Sequence, residues 1–194
     1  KARRMDRFAQ MIVAAAIQAR DDSGIDIEGE ADRIGGSIAT GIGGLKAFQD
    51  CYDTLLERGP DRVNPFSIPQ IIPNMGAGWV SMYLGTRGPL SSQCTACAAS
   101  NMAIGEAADA IRLGRADAML AGGTEAGITR VGIAGFSAMR ALSRRNDALA
   151  AKALRTLAIA TRTVPAASLG IDPQAVASGG TSTMASSIHC ATSC

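Results

Sequence analysis

The chain has 194 residues, a formal net charge of +2, 47% apolar residues, 19% charged residues and 4% aromatics. This composition excludes a chain disordered throughout, and a near-neutral charge without a basic stripe interleaved with aromatics gives a nucleic-acid partner no support. No apolar run reaches the roughly 18 residues of a membrane helix, so no membrane association is expected and the cytoplasm is the expected location.

An amphipathic helix is predicted from Met5 to Asp22, with Gly24 as its C-terminal cap. The run Met11–Ile17 follows basic residues as in a signal peptide, but Asp6, Arg7, Gln10 and Gln18 interrupt and bracket it, so the helix reading stands. Ile34–Thr40 reads as a short buried strand running into the turn Gly41-Ile42-Gly43-Gly44. These glycines are not a phosphate cradle, because Lys46 comes too late for that pattern. A helix is predicted over Leu45–Glu57. The segment Asn64–Pro73 holds Pro65, Pro69 and Pro73 and is expected to be extended and irregular.

A second helix is predicted over Asn74–Leu84, with Asn74 as its cap and Gly76, Ala77 and Gly78 allowing close packing. Gly88-Pro89 opens a strand over Leu90–Cys94. Thr95-Ala96-Cys97-Ala98-Ala99-Ser100 then opens a long helix to Leu113, stopped by Gly114. Ala116–Ala121 reads as a buried strand ended by Gly122-Gly123-Thr124-Glu125, and Gly132–Met139 as a loop or short helix. The alternation of strand and helix predicts a layered α/β fold. After Asp147 the texture changes: residues 148–194 are rich in Ala, Ser and Thr, and Asp172 is their single acidic residue. Residues 1–147 are therefore read as one domain and 148–194 as an atypical, poorly ordered tail.

The local feature that points to chemistry is Cys97, between a buried strand and a long helix. Unpaired N–H groups and the positive end of the dipole at a helix N-terminus favour thiolate character. Small neighbours let a substrate reach the sulfur, and the Cys97 N–H can form half of an oxyanion hole. A thiolate there can take an acyl group as a thioester. Spacing alone leaves two other readings open. Cys97 can be an inert buried cysteine, or Cys94 and Cys97 can form a CxxC redox or zinc pair. Zinc needs further ligands, and Cys190, Cys194 and His189 are the ones available to complete a site. Cys51 completes an odd set of five cysteines, a number unlike a secreted disulfide scaffold.

A series of short motifs runs from Lys1 to Asp147: Arg4-Met5-Asp6-Arg7-Phe8, Gly41–Gly44, Asn64-Pro65-Phe66, Pro73-Asn74-Met75, Arg87-Gly88-Pro89, Thr95-Ala96-Cys97-Ala98, Gly114–Glu125, and Arg140–Ser143 with Arg145-Asn146-Asp147. In order and intervals this stretch resembles the β-ketoacyl-acyl carrier protein synthases of the type II, elongating class. The first motif is similar to the family's opening and Gly41–Gly44 to its GxGG turn. Thr95–Ala98 resembles the nucleophile motif, Gly114–Glu125 the run that ends in GG-x-E, and the last residues the approach to the second half.

The resemblance implies the first half of a thiolase-like α-β-α fold, without the family's first strand or its whole second half. It implies that Cys97 is the acyl-accepting nucleophile and that no metal or organic cofactor does the chemistry. The implied partners are acyl- and malonyl-loaded acyl carrier protein and a second copy in a homodimer. The strand before Cys97 and the Asn74 helix are implied to belong to the dimer interface. The implied reaction is acyl transfer to the thiol, then decarboxylative Claisen condensation with malonyl-acyl carrier protein, as in fatty acid chain elongation. Alternatives within the same resemblance are polyketide condensation, a non-catalytic partner subunit and an inactive truncated fragment.

The family's second half supplies two histidines, a lysine and a second oxyanion donor. His189 resembles neither histidine motif and receives no role, so this chain alone is expected to lack condensing activity. The loss of acidic residues after Asp147 fits a shifted reading of that second half. Four methionines, Met75, Met82, Met102 and Met119, are read as core or interface packing, and Phe136 as a core aromatic or, by resemblance, a lining of the acyl pocket. Asp117 is read as a turn or strand-entry residue. Glu125 is expected to make an ion pair or a backbone contact, with a structural acid near the site as the other reading.

Overall fold

The computed structural model describes residues 2–142 and the strand 161–165. Seven α-helices are described: α1 (Arg7–Ser23), α2 (Ile27–Glu30), α3 (Leu45–Arg58), α4 (Ser67–Ile71), α5 (Met75–Leu84), α6 (Ala99–Arg112) and α7 (Arg130–Ala138). Four strands, β1 (Ile34–Ala39), β2 (Leu90–Ser91), β3 (Ala118–Gly123) and β4 (Thr161–Pro165), form one sheet in the order β2-β1-β3-β4. β1 runs parallel to β2 and β3, and β4 is antiparallel to β3.

Every residue of β1 and β3 is buried, because helices cover both faces of this parallel pair. Side chains alternate across the sheet. Ile34, Ile38, Ala118 and Leu120 pack with Phe8 and Ile12 of α1 and Val80 of α5. Met119 and Ala121 pack with Ala107 and Ala110 of α6, and Ala39 with Ala99 and Ala103. The layered α-β-α arrangement expected from the sequence is therefore present.

Helix α1 forms where its apolar positions recur at helical spacing: Phe8, Ala9, Ile12, Val13 and Ala16 are buried. Asp6 caps its start, and Gly24 ends it in the left-handed region at φ 65°, as expected. Gly76 of α5 faces α1, where a Cβ would make ordinary contact with the Phe8 ring at 3.4 Å and with Ile12 at 3.7 Å.

Several boundaries differ from the sequence reading. The stretch expected to be irregular contains α4, because Asn64 organises a turn: its side chain accepts from the Phe66 N–H and its carbonyl from the Ser67 hydroxyl. Asn74 occupies the cap position of α5 but makes no side-chain capping bond. The strand expected over Leu90–Cys94 pairs only at Leu90–Ser91, and α6 begins at Ala99 after a 3₁₀ turn at Ala96–Ala98. The last parallel strand is displaced toward the C-terminus, to Ala118–Gly123. Gly132–Met139 is largely helical, within α7. The boundary expected at Asp147 and the tail lie outside the described residues, apart from β4.

Candidate functional site

Cys97 sits in the 3₁₀ turn between β2 and α6, and its side chain is exposed. The burial that one of the readings left open by spacing expects is not found among the described residues. The turn is held from three sides. Ala96, just before Cys97, has φ 48°, a left-handed conformation that costs a non-glycine residue roughly 1–2 kcal/mol. The Ala98 N–H donates to the Thr95 carbonyl at 3.1 Å and closes the turn that leads into α6.

From the sheet side, a network not foreseen from sequence fixes the approach to Cys97. The Ser37 hydroxyl, on fully buried β1, donates to Gln93 Oε1 at 3.2 Å, and the Ser91 hydroxyl donates to Ser37 Oγ at 3.1 Å. Gln93 Nε2 donates to Ser91 Oγ at 3.3 Å, and the Gln93 carbonyl accepts from the Thr40 N–H at 3.2 Å. Buried polar groups must find such partners. The polar residues Ser91 and Gln93 flanking a short strand were the available signal, but their partner Ser37 lies more than fifty positions away.

From the helix side, Gly123 at the end of β3 lets α6 approach: an ideal Cβ there would lie 2.1 Å from Ser100 Oγ. From the third side comes the turn Gly41–Gly44. Gly43 has φ 96°, and a Cβ on Gly44 would fall 2.0 Å from the Gln70 carbonyl oxygen, so both positions need glycine. The Cys94 thiol donates to the Gly41 carbonyl at 3.4 Å, which ties the first cysteine of the pair to this turn.

Glu125 lies at the end of β3, half-buried, and faces the same turn. Its Oε2 accepts from the Ile42 N–H at 2.8 Å and from the Thr40 hydroxyl at 3.3 Å, and its Oε1 from the Ala126 N–H at 3.1 Å. The expected backbone contact is present, and among the described residues no ion pair involves Glu125. Asp117 stands at the entry to β3, as expected, and pairs with Arg33 at 2.6 Å. The Arg33 guanidinium holds its carboxyl below the usual carboxylate range. Arg87 does the same for Asp32.

Met119 is buried, whereas Met82 and Met102 lie on the surface. Phe136 is 42% exposed on α7, so it is not a core aromatic. Among the described residues no group of His, Cys, Asp and Glu could hold a metal, and no helix is long and apolar enough to cross a membrane. The zinc alternative through Cys190, Cys194 and His189 lies outside the described residues, and so does every structural question about His189. The described arrangement offers two exposed thiols, Cys94 and Cys97, and of these Cys97 lies in the 3₁₀ turn at the head of a 14-residue helix.

The family profile described as Beta-ketoacyl synthase, N-terminal domain, matches residues 1–158. The 3-oxoacyl-[acyl-carrier-protein] synthase 2 of Staphylococcus aureus is 51% identical over 148 residues, which cover 76% of this chain and 37% of that protein. The protein of the same name from Synechocystis is 49% identical, with 76% and 36% covered. The chain thus spans little more than a third of the length of these relatives. Among solved structures, a β-ketoacyl synthase from Burkholderia phymatum aligns with a TM-score of 0.67 at 31% identity, covering 76% of this chain and 36% of that one. A type II polyketide ketosynthase, solved with its acyl-carrier protein and bound to the hexaketide, aligns with a TM-score of 0.67 at 31% identity, covering 72% and 36%.

Proposed function

This chain belongs to the β-ketoacyl synthase family through its N-terminal domain, and on that premise we propose that it accepts an acyl group on Cys97 from an acyl carrier protein. The observation that carries the reading is the exposed Cys97 on its constrained turn at the head of α6. The Cys97 sulfur attacks the carbonyl carbon of the carrier-bound thioester. A new C–S bond forms, the bond to the phosphopantetheine sulfur breaks, and the thiol proton passes to the departing sulfur. The Cys97 N–H supplies part of the oxyanion stabilisation.

In the complete reaction, malonyl-acyl carrier protein loses carbon dioxide and its carbanion attacks the acyl-cysteine. The product is a 3-oxoacyl chain two carbons longer. The relatives at 51% and 49% identity carry the name 3-oxoacyl-[acyl-carrier-protein] synthase 2, which supports the fatty acid elongation reading. The presence of Cys97 argues against a non-catalytic partner subunit. The 194 residues contain one histidine, while decarboxylation in this family uses two. We therefore read this chain by itself as an acyl acceptor with little or no condensing activity. β2 stands at the edge of the sheet, and Leu90 within it and Met82 on α5 are exposed. This fits a homodimer built across that edge.

The test is incubation of the purified chain with an acyl-loaded carrier protein, followed by intact mass and peptide mapping. The expected result is one acyl adduct, at Cys97, absent from Cys97→Ser. No adduct, or equal labelling of all the cysteines, would overturn the assignment.

A further inference from the structure

The GxGG turn and the nucleophile turn are far apart in sequence and adjacent in space, and one carboxylate is joined to the first of them. We infer that Glu125 is a positioning residue for Cys97, acting through the Gly41–Ile42 backbone. This inference deepens the acyl-acceptor reading and rests on it for its functional consequence, though not for its structural one.

The contact chain is short. Glu125 Oε2 holds the Ile42 N–H at 2.8 Å. Thr40 reinforces this, donating its hydroxyl to the same oxygen at 3.3 Å and accepting from the Gly43 N–H at 3.2 Å. Gly41 is wedged in between. An ideal Cβ there would lie 3.0 Å from Glu125 Oε2 and 3.5 Å from the carbonyl oxygen of Ala96, the residue before Cys97. The carbonyl of Gly41 in turn accepts from the Cys94 thiol. The turn is thus held by Glu125 on one side, and on the other it accepts from the Cys94 thiol and lies close to the backbone of Ala96, the residue before Cys97.

Two features separate this from an ordinary surface acid. Among the described residues Glu125 has no cationic partner, so the charge is compensated by hydrogen bonds to backbone N–H groups and a hydroxyl. Charge-assisted bonds of this kind are stronger and more directional than neutral ones. The segment it supports also carries backbone strain, at Ala96, and strained residues persist only where their surroundings over-determine them. Removing the carboxylate releases one wall of that constraint.

Glu125→Ala and Glu125→Gln test the inference in the full chain, with hydrogen exchange and acyl loading as separate readouts. Glu125→Ala should raise exchange in segments 40–44 and 94–98 while leaving β3 protected. Its acylation rate at saturating acyl-carrier protein should fall about tenfold or more, as misplaced reacting groups do, with the dependence on donor concentration unchanged. Glu125→Gln keeps one acceptor for the Ile42 N–H and should lie between wild type and Glu125→Ala in both readouts. It also carries the test if Glu125→Ala fails to fold. Faster exchange confined to 40–44, or loosening throughout the sheet, would overturn the inference whether or not the wild type is acylated. A wild type that is not acylated, with the paired exchange response intact, would instead refute the acyl-acceptor reading alone.

Discussion

Asp6 and Ala47 join two helices through a single carboxylate. Asp6 Oδ1 accepts from the Phe8 N–H at 3.2 Å and caps α1, while its Oδ2 accepts from the Ala47 N–H at 2.8 Å in the first turn of α3. Asp6 is buried, so both oxygens depend on these donors. Asp6→Ala removes a cap and leaves the Ala47 N–H without its acceptor. It should cost about 2 kcal/mol or more, read as a lower denaturant midpoint, and Asp6→Asn should cost less.

Gly44 and Gly105 make opposite predictions for the same substitution. A Cβ at Gly44 meets the rigid Gln70 carbonyl, whereas one at Gly105, exposed on α6, meets nothing within 4 Å. Gly44→Ala should destabilise the chain by about 1–3 kcal/mol, as overpacking does. Gly105→Ala should stabilise it by about 0.5–1 kcal/mol through helix propensity. Thermal unfolding of the two variants beside the wild type decides both.

The Arg33–Asp117 pair predicts an acid-labile contribution. Arg33 holds the Asp117 carboxyl below its ordinary range, chiefly by hydrogen bonding, so the folded state binds this proton less readily than the unfolded chain. The contribution is therefore present at neutral pH and is lost as pH falls through the lowered folded value. The difference in melting temperature between wild type and Asp117→Asn should shrink on acidification below the usual carboxylate range. Both groups are solvent-exposed, so added salt should also diminish it. A difference that grows toward acid would contradict the assignment.

Helix α3 is amphipathic yet buries no residue. Its stripe Phe48, Tyr52, Leu55 and Leu56 is exposed, Leu56 by 67%. Leu56→Lys should change folding stability by less than about 0.5 kcal/mol while reducing concentration-dependent association, measured by light scattering, because exposed apolar patches drive it. A large loss of stability would show that Leu56 is packed in solution.

The periodicity of α1, the αL glycine that ends it and the apolar run of β1 were legible because each is dictated by neighbours in sequence. Cys97 was legible as a cysteine at a strand-to-helix junction, and the resemblance selected it from the competing readings. The supports around it were not, since Ser37 and Gln93, or Glu125 and Ile42, meet only when β1, β2 and β3 are assembled. The 64–73 segment was misread because three prolines obscured a turn built on the side chain and carbonyl of Asn64. Asn74 shows the converse: a residue with good capping chemistry whose side chain makes no cap here. Phe136 could not be placed because a single aromatic on a short helix carries no periodicity.

The pairing of β1 with β3 sets a constraint on how the chain acquires its shape. Arg33 and Asp117, at the entries of these strands, are 84 positions apart, and all six residues of β1 find their partners in β3. Synthesis must therefore run 84 positions past Arg33 before β1 can be paired on that side. Until then β1 carries unmatched backbone donors and acceptors along an apolar edge. Such long-range topology slows folding and leaves nascent chains open to wrong pairings, so yield in a cell should depend on chaperone supply and on growth temperature.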